Sequence, residues 1–198
     1  MKKIVVMMLA VSCALMVLSC TEQEGAAGTV EAAGIVEFIS GAFSHRNFTT
    51  GHVSDEMLEQ ILMAGHQAGS AGNSQHWHFT VVRNRELIDE IMQNIDEGNV
   101  LIVGLGPNES RFPQDIIVFD NGLAMQNMFL AAQALGLGTR MYLRPLANLN
   151  QNLLYRLEAP ENFRAIMVLR IGHITDDVDV ATQASPRHPL ETRVNFID

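Results

Sequence analysis

Thiols and lysines are almost missing from this chain, and the few present sit at its start. The two cysteines are Cys13 and Cys20, and the only lysines are Lys2 and Lys3. These residues fall in an opening that runs Met-Lys-Lys, then an apolar stretch from Ile4 to Leu18, then Ser19-Cys20, which is the order of a secretory signal peptide. The apolar stretch is shorter than the ~20 residues of a comfortable membrane span. Val17-Leu18-Ser19-Cys20 fits a bacterial lipobox, whose cysteine becomes the lipidated first residue of the mature chain. An ordinary signal peptide with a chance cysteine would share the apolar run. On the lipobox reading residues 1–19 are removed, Cys13 goes with them and Cys20 is acylated, which leaves no free thiol. Disulfides, thiolate nucleophiles and iron–sulfur ligation are thereby excluded. Without Lys2 and Lys3, so are Schiff-base chemistry and a P-loop lysine.

Positive charge is scarce as well. The formal net charge is −9, and loss of the signal peptide takes away two positive charges and no acid. So acidic a domain lacks the basic face that nucleic acid requires, and no nucleic-acid partner is expected. Also absent are a Gly-x-Ser-x-Gly elbow, a His-Glu-x-x-His helix, a Gly-x-Gly-x-x-Gly turn after a strand and a Walker sequence. His76 and His78 alternate, so on a strand they would share one face and could hold a metal. No third ligand is near in sequence, and two half-buried strand histidines are the plainer account.

After Cys20, the small polar stretch Thr21 to Thr29 reads as a flexible tether, so residues 20–29 are assigned to the lipidated cysteine and tether and 30–198 to one domain. Periodicity predicts a helix over Val30–Gly41, with Val36, Ile39 and Phe43 at helical spacing, and a second helix capped by Ser54 and ending near Gly69. A strand over Trp77–Arg83 follows, then a helix capped by Asn84 and running through Leu87, Ile88, Ile91 and Ile95, and a short buried strand at Val100–Val103. Gln114 to Leu135 is one long, mostly apolar central helix stopped at Gly136. Strands at Thr139–Leu143 and Arg164–Ile171 flank a short helix over Leu149–Leu157. This inventory is an α+β or mixed sheet with helices on both faces. The apolar tail after Pro186 and Pro189 cannot bury itself alone and is expected against another part of the structure or a partner subunit.

What remains is a set of Arg, Ser and Asn side chains in loops: Ser44 and Arg46, the loop Gly69-Ser70-Ala71-Gly72-Asn73, and Arg187. Arginine with serine hydroxyls suits a phosphate, and a small-residue loop lets backbone N–H groups approach a flat ligand. Taken singly, surface arginines and an ordinary turn explain the same residues.

In order, however, four segments resemble the nitroreductase family. Ala42-Phe43-Ser44-His45-Arg46-Asn47-Phe48 stands where the family has Arg-Arg-Ser-x-Arg-x-Phe. Ala68 to Phe79 stands at Ala-Pro-Ser-x-x-Asn-x-Gln-Pro-Trp and its strand. Asp120 to Thr139 is similar to the central helix with its Gly-Leu-Gly-Thr exit, and Arg187-His188-Pro189-Leu190-Glu191 to Arg-x-Pro-Leu-Glu. The resemblance implies an α+β nitroreductase-like fold with a mixed or antiparallel sheet, a homodimer, and two FMN sites shared between subunits. It places Ser44 and Arg46 at the phosphate and ribityl end, Arg187 as a second phosphate contact, Ser70 and Asn73 of the partner chain at the flavin ring, and Tyr142 and Leu143 beside that ring. The chain departs from the pattern at Ala42, which removes one arginine, at Gly69 and His76, which replace prolines, and at Leu143-Arg144, where a glycine is usual.

The resemblance implies an FMN-dependent oxidoreductase passing hydride or electrons by a ping-pong route to a small conjugated acceptor, nitroaromatic or quinone-like, with no side chain acting as a covalent nucleophile. NAD(P)H, the cytoplasmic electron donor, fits poorly with the lipobox, which places the chain outside the cytoplasm on a membrane; a membrane quinol or a flavin-transfer partner would serve there. A second reading, resting on Ala42 and Leu143, is a lipid-anchored scaffold of the same fold that has lost flavin and binds another ligand.

Overall fold

In a computed structural model the residues described are 32–175 and 185–197; Cys20 and the stretches expected to be a signal peptide and a tether lie outside them. The chain divides at Ser40/Gly41. The first unit contributes helix α1 (Ala32–Gly41). Phe43 is not on that helix but beyond its end.

In the second unit the remaining elements are α2 (Asp55–His66), β1 (His78–Val82), α3 (Arg85–Ile91), β2 (Val100–Pro107), α4 (Gln114–Ala134), β3 (Gly138–Tyr142), α5 (Leu146–Asn148) and β4 (Phe163–Gly172). Beyond α5 the helical path continues as a wide turn over Leu149–Leu153 and a tight one over Leu154–Leu157. It ends at Glu158, whose φ is 50°. The four strands form one sheet in the order β1-β2-β4-β3. Every described pairing in it is antiparallel, so the mixed alternative is set aside.

The helix starts follow local chemistry. Ser54 Oγ accepts the Met57 N–H at 3.3 Å and Asp55 and Glu56 occupy the first turn of α2, where acids complement the helix dipole. Asn84 Oδ1 caps α3 by accepting the Leu87 N–H at 2.9 Å. That helix stops at Ile91, short of Ile95, where Met92 turns to extended backbone at φ −151° and ψ 131°. Ile95 is still buried, reaching the core from the following loop.

β2 carries the core on both of its faces. Leu101, Val103 and Leu105 meet Leu87, Ile88 and Leu153 on one side, while Val100 and Ile102 meet Leu58, Ile61, Met125 and Met128 on the other. The helices therefore cover both faces. β2 is twice the predicted length because the strand continues through Gly104 and Gly106. A Cβ on Gly106 would stand 2.6 Å from Ile166 Cδ1 and 2.7 Å from Ile117 Cγ2, so only glycine lets α4 lie this close.

α4 buries Ile117, Asp120, Asn121, Ala124, Met125, Met128, Phe129 and Ala132, and Gly136, at φ 79°, follows it as the left-handed stop. Its Val118, Phe119 and Leu123 are exposed in the single chain, as are Leu190, Phe196 and Ile197 of the tail. No described helix is long and apolar enough to cross a membrane.

Candidate functional site

The segment carrying Ser44 and Arg46 is held by its carbonyls and by one histidine. Gln133, at the end of α4, donates to Phe43 O at 2.8 Å and to Thr139 Oγ1 at 2.6 Å. His45 N–H donates to Thr139 O at 2.8 Å, and Thr139 N–H returns a bond to His45 Nδ1 at 3.2 Å. Phe43 stacks on the imidazole, centroids 4.4 Å apart. His45 is buried while Ser44 and Arg46 on either side are exposed, as extended backbone requires of alternate residues. Further on, the buried Arg170 guanidinium lies 3.8 Å from the Phe48 ring centroid and is tied to Asn99 and Asp96. Asn99 in turn donates to Thr49 O at 2.9 Å.

Burial holds the His45 pKa below its ordinary value, and the bond it accepts from Thr139 needs a bare Nδ1, hence the neutral ring. The unfolded chain therefore takes up this proton more readily than the folded one, so the stability His45 contributes is complete above about pH 6.5 and is lost as pH falls below it. Urea unfolding midpoints measured at about pH 7 and about pH 5.5 should differ in wild type and differ less in His45→Gln.

Arg46 Nη2 donates to Ser185 Oγ at 3.2 Å, joining segments 139 positions apart. The start of the C-terminal stretch that carries Arg187 is thus brought beside the segment with Ser44 and Arg46. Ser44, Arg46 and Arg187 are all exposed, and a hydroxyl and guanidinium groups are donor types suited to a phosphate dianion.

Ser70 and Asn73 lie elsewhere. Their loop turns through left-handed residues, Gly72 at φ 58° and Asn73 at φ 54°, and is anchored by Asp120 of α4. That carboxylate is 1% exposed and accepts the Ala71 N–H on both oxygens at 3.2 Å. Ser74 Oγ and His76 Nδ1 approach the same carboxylate at 3.5 and 3.4 Å. Asp120 and Gln133 stand near the two ends of α4, about 20 Å apart at 1.5 Å per residue. One protomer therefore holds the phosphate-type residues and the ring-type loop far apart. Leu143, at the exit of β3, is 63% exposed, and Arg140 lies 5.2 Å from the Tyr142 ring.

His76 is not on β1 with His78: it precedes the strand, with Ser74 Oγ 2.7 Å from Nδ1 and Ser110 Oγ 3.0 Å from Nε2. His78 opens the strand, exposed and edge-on to Phe163. Among the described residues no group of three or more His, Cys, Asp or Glu side chains is placed to hold a metal. Sequence reasoning missed His45, Gln133, Asp120 and Ser110. For Asp120 a signal was present, since an acid amid the apolar run of α4 must find a partner when buried.

Comparison with known proteins agrees with this architecture. The model of the nitroreductase family matches residues 39–102. A relative from Archaeoglobus fulgidus, which carries the provisional name NADH dehydrogenase/NAD(P)H nitroreductase, is 35% identical over 144 residues, 69% of this chain and 83% of its own length. One of the same name from Methanothermobacter thermautotrophicus is 30% identical over 156 residues, 74% of this chain and 80% of its own. Among solved structures, a provisionally named nitroreductase in complex with FMN from Desulfovibrio desulfuricans has a TM-score of 0.70 at 27% identity, covering 83% of this chain and 96% of that one. The chain belongs to the nitroreductase family.

Proposed function

We propose that the protein is an FMN-dependent oxidoreductase that accepts electrons from a reduced donor and delivers them to a small conjugated acceptor, nitroaromatic or quinone-like. The observation that carries this reading is the Arg46–Ser185 bond, which sets the Ser44–Arg46 segment against the start of the stretch that carries Arg187. When bound, FMN supplies the hydride and electron chemistry. Arg46 and Arg187 would neutralise its phosphate and Ser44 would add a hydroxyl donor, while His45, neutral and pinned to Thr139, fixes the backbone between the first two. The reading gains support from the FMN-bound relative and from the names of the two archaeal ones.

The site is composite in this proposal: Ser70 and Asn73 come from the partner protomer, which accounts for their distance from Arg46 within one chain. A homodimer would also cover Val118, Phe119 and Leu123 of α4 and the apolar tail, all exposed in the single chain. Light scattering should find a dimer at micromolar concentration; a stable monomer with intact structure would contradict it. Location follows from the lipobox: the chain is proposed to be an extracytoplasmic lipoprotein held by acylated Cys20. Cys20→Ser should leave the membrane fraction, and a variant that sediments with membranes as wild type does would count against this anchor.

The test of the reaction is anaerobic. The purified protein should show the visible bands of bound flavin, lose them on addition of NADH or a quinol, and recover them on addition of menadione or a nitroaromatic. Bands that no donor bleaches, or that bleach and do not recover with either acceptor, would overturn the proposed reaction.

A further inference from the structure

The loop Ser70-Ala71-Gly72-Asn73 does not stand alone at the surface. The stretch between β2 and α4, residues 108–113, folds over it, and the link between the two is His76, where the family pattern has proline. Its Nε2 lies 3.0 Å from Ser110 Oγ, and Ser110 Oγ also accepts the Phe112 N–H at 3.2 Å. The imidazole meets the Phe112 ring edge to face with centroids 5.3 Å apart. On its other side the imidazole is held by Ser74 and the buried Asp120. Proline has neither ring nitrogen, so this two-sided tie belongs to the histidine.

The tie fixes what lies above Gly72. Arg111 places its guanidinium carbon 4.8 Å from the Phe112 ring centroid, a cation–π distance. A Cβ on Gly72 would find Phe112 Cζ at 3.4 Å and Arg111 Nη2 at 3.8 Å. The guanidinium is therefore parked over the backbone of this loop. Arg111 is exposed, and among the described residues the ion pairs of arginine are made by Arg83, Arg85, Arg156 and Arg170, not by Arg111. In a chain of net charge −9 a positive group held without a carboxylate partner is a local reversal of the prevailing field.

We propose that Arg111 is a specificity-determining residue that selects acceptors carrying a carboxylate or another anionic substituent, and that His76 and Ser110 are the positioning residues that hold it there. This rests on the flavin reading above, because Ser70 and Asn73 flank the reacting ring only in that reading. The guanidinium, exposed to solvent, offers a planar fork to a carboxylate. The surrounding acidity repels anions elsewhere, so the discrimination is local to this loop.

The test compares 4-nitrobenzoate with neutral 4-nitrobenzyl alcohol on FMN-loaded protein, as kcat and KM separately, and adds calorimetric titration with the non-reducible pair benzoate and benzyl alcohol. In Arg111→Gln the KM for 4-nitrobenzoate should rise about tenfold relative to that for the alcohol, near the lower limit for one charge-assisted bond. Benzoate affinity should fall in parallel, and Arg111→Lys should restore part of both. Ser110→Ala, an exposed change that removes the tie to His76 together with the bond from the Phe112 N–H, should lose a smaller part of the same selectivity. Equal shifts for the charged and neutral members of each pair, or none, in Arg111→Gln overturn the assignment of Arg111. Wild-type selectivity in Ser110→Ala overturns the positioning role. Wild type that takes up no FMN overturns the flavin reading and this inference together, whereas FMN uptake without charge selectivity overturns this inference alone.

Discussion

Replacing Arg46 or Arg187 by alanine should weaken FMN binding by roughly 10- to 150-fold each while the fold stays intact. The range corresponds to the loss of one charge-assisted contact, worth ~1.5–3 kcal/mol. Ala42 stands where the family pattern has the first arginine, so in the proposed site Arg46 and Arg187 would carry the electrostatic hold on the phosphate. Both side chains are exposed. The converse change, Ala42→Arg, should tighten binding. Fluorescence titration of apo-protein measures all three, and two alanine variants that bind as wild type does would refute the assignment of these residues.

Asp120→Ala should be the most destabilising single change in the candidate site, by about 3 kcal/mol. The carboxylate is almost fully buried and takes the Ala71 N–H, with Ser74 and His76 close by. Deleting it strands a backbone donor and takes the anchor from the loop that carries Ser70 and Asn73. For a chain of this length that loss lowers the melting temperature by about 6–12 °C. Asp120→Asn keeps the shape and an acceptor oxygen and should fall between. Calorimetry decides: a melting temperature within about 2 °C of wild type in Asp120→Ala would show that the loop does not depend on this carboxylate.

The parts of the fold written in short-range chemistry were legible beforehand. Ser54 and Asn84 cap α2 and α3 as their side chains allow, and α4 runs from Gln114 to Ala134 with its stop at Gly136. What depended on distant neighbours was hidden. The expected strand stopped at Val103, and only the approach of α4 shows why it runs on through Gly104 and Gly106. Leu149–Leu157 was expected to be a short helix, but it is wide over Leu149–Leu153 and tight over Leu154–Leu157 before Glu158.

The candidate site divides the same way. Ser44, Arg46, Ser70, Asn73 and Arg187 could be named from ordered segments, and the structure brings Arg46 to the segment of Arg187. His45 could not be singled out, since its partner Thr139 is 94 positions away. His76 had suggested a strand face shared with His78; its actual partners, Ser74, Asp120 and Ser110, come from three different parts of the chain.

Stoichiometric titration of the wild-type protein with FMN tests the central claim most directly. The account predicts saturable binding of one FMN per chain, lost in step with the charge removed at Arg46 and Arg187. No saturable binding, with the protein folded and no gain of stability on adding FMN, would contradict it and leave a scaffold of this fold that has given up its flavin.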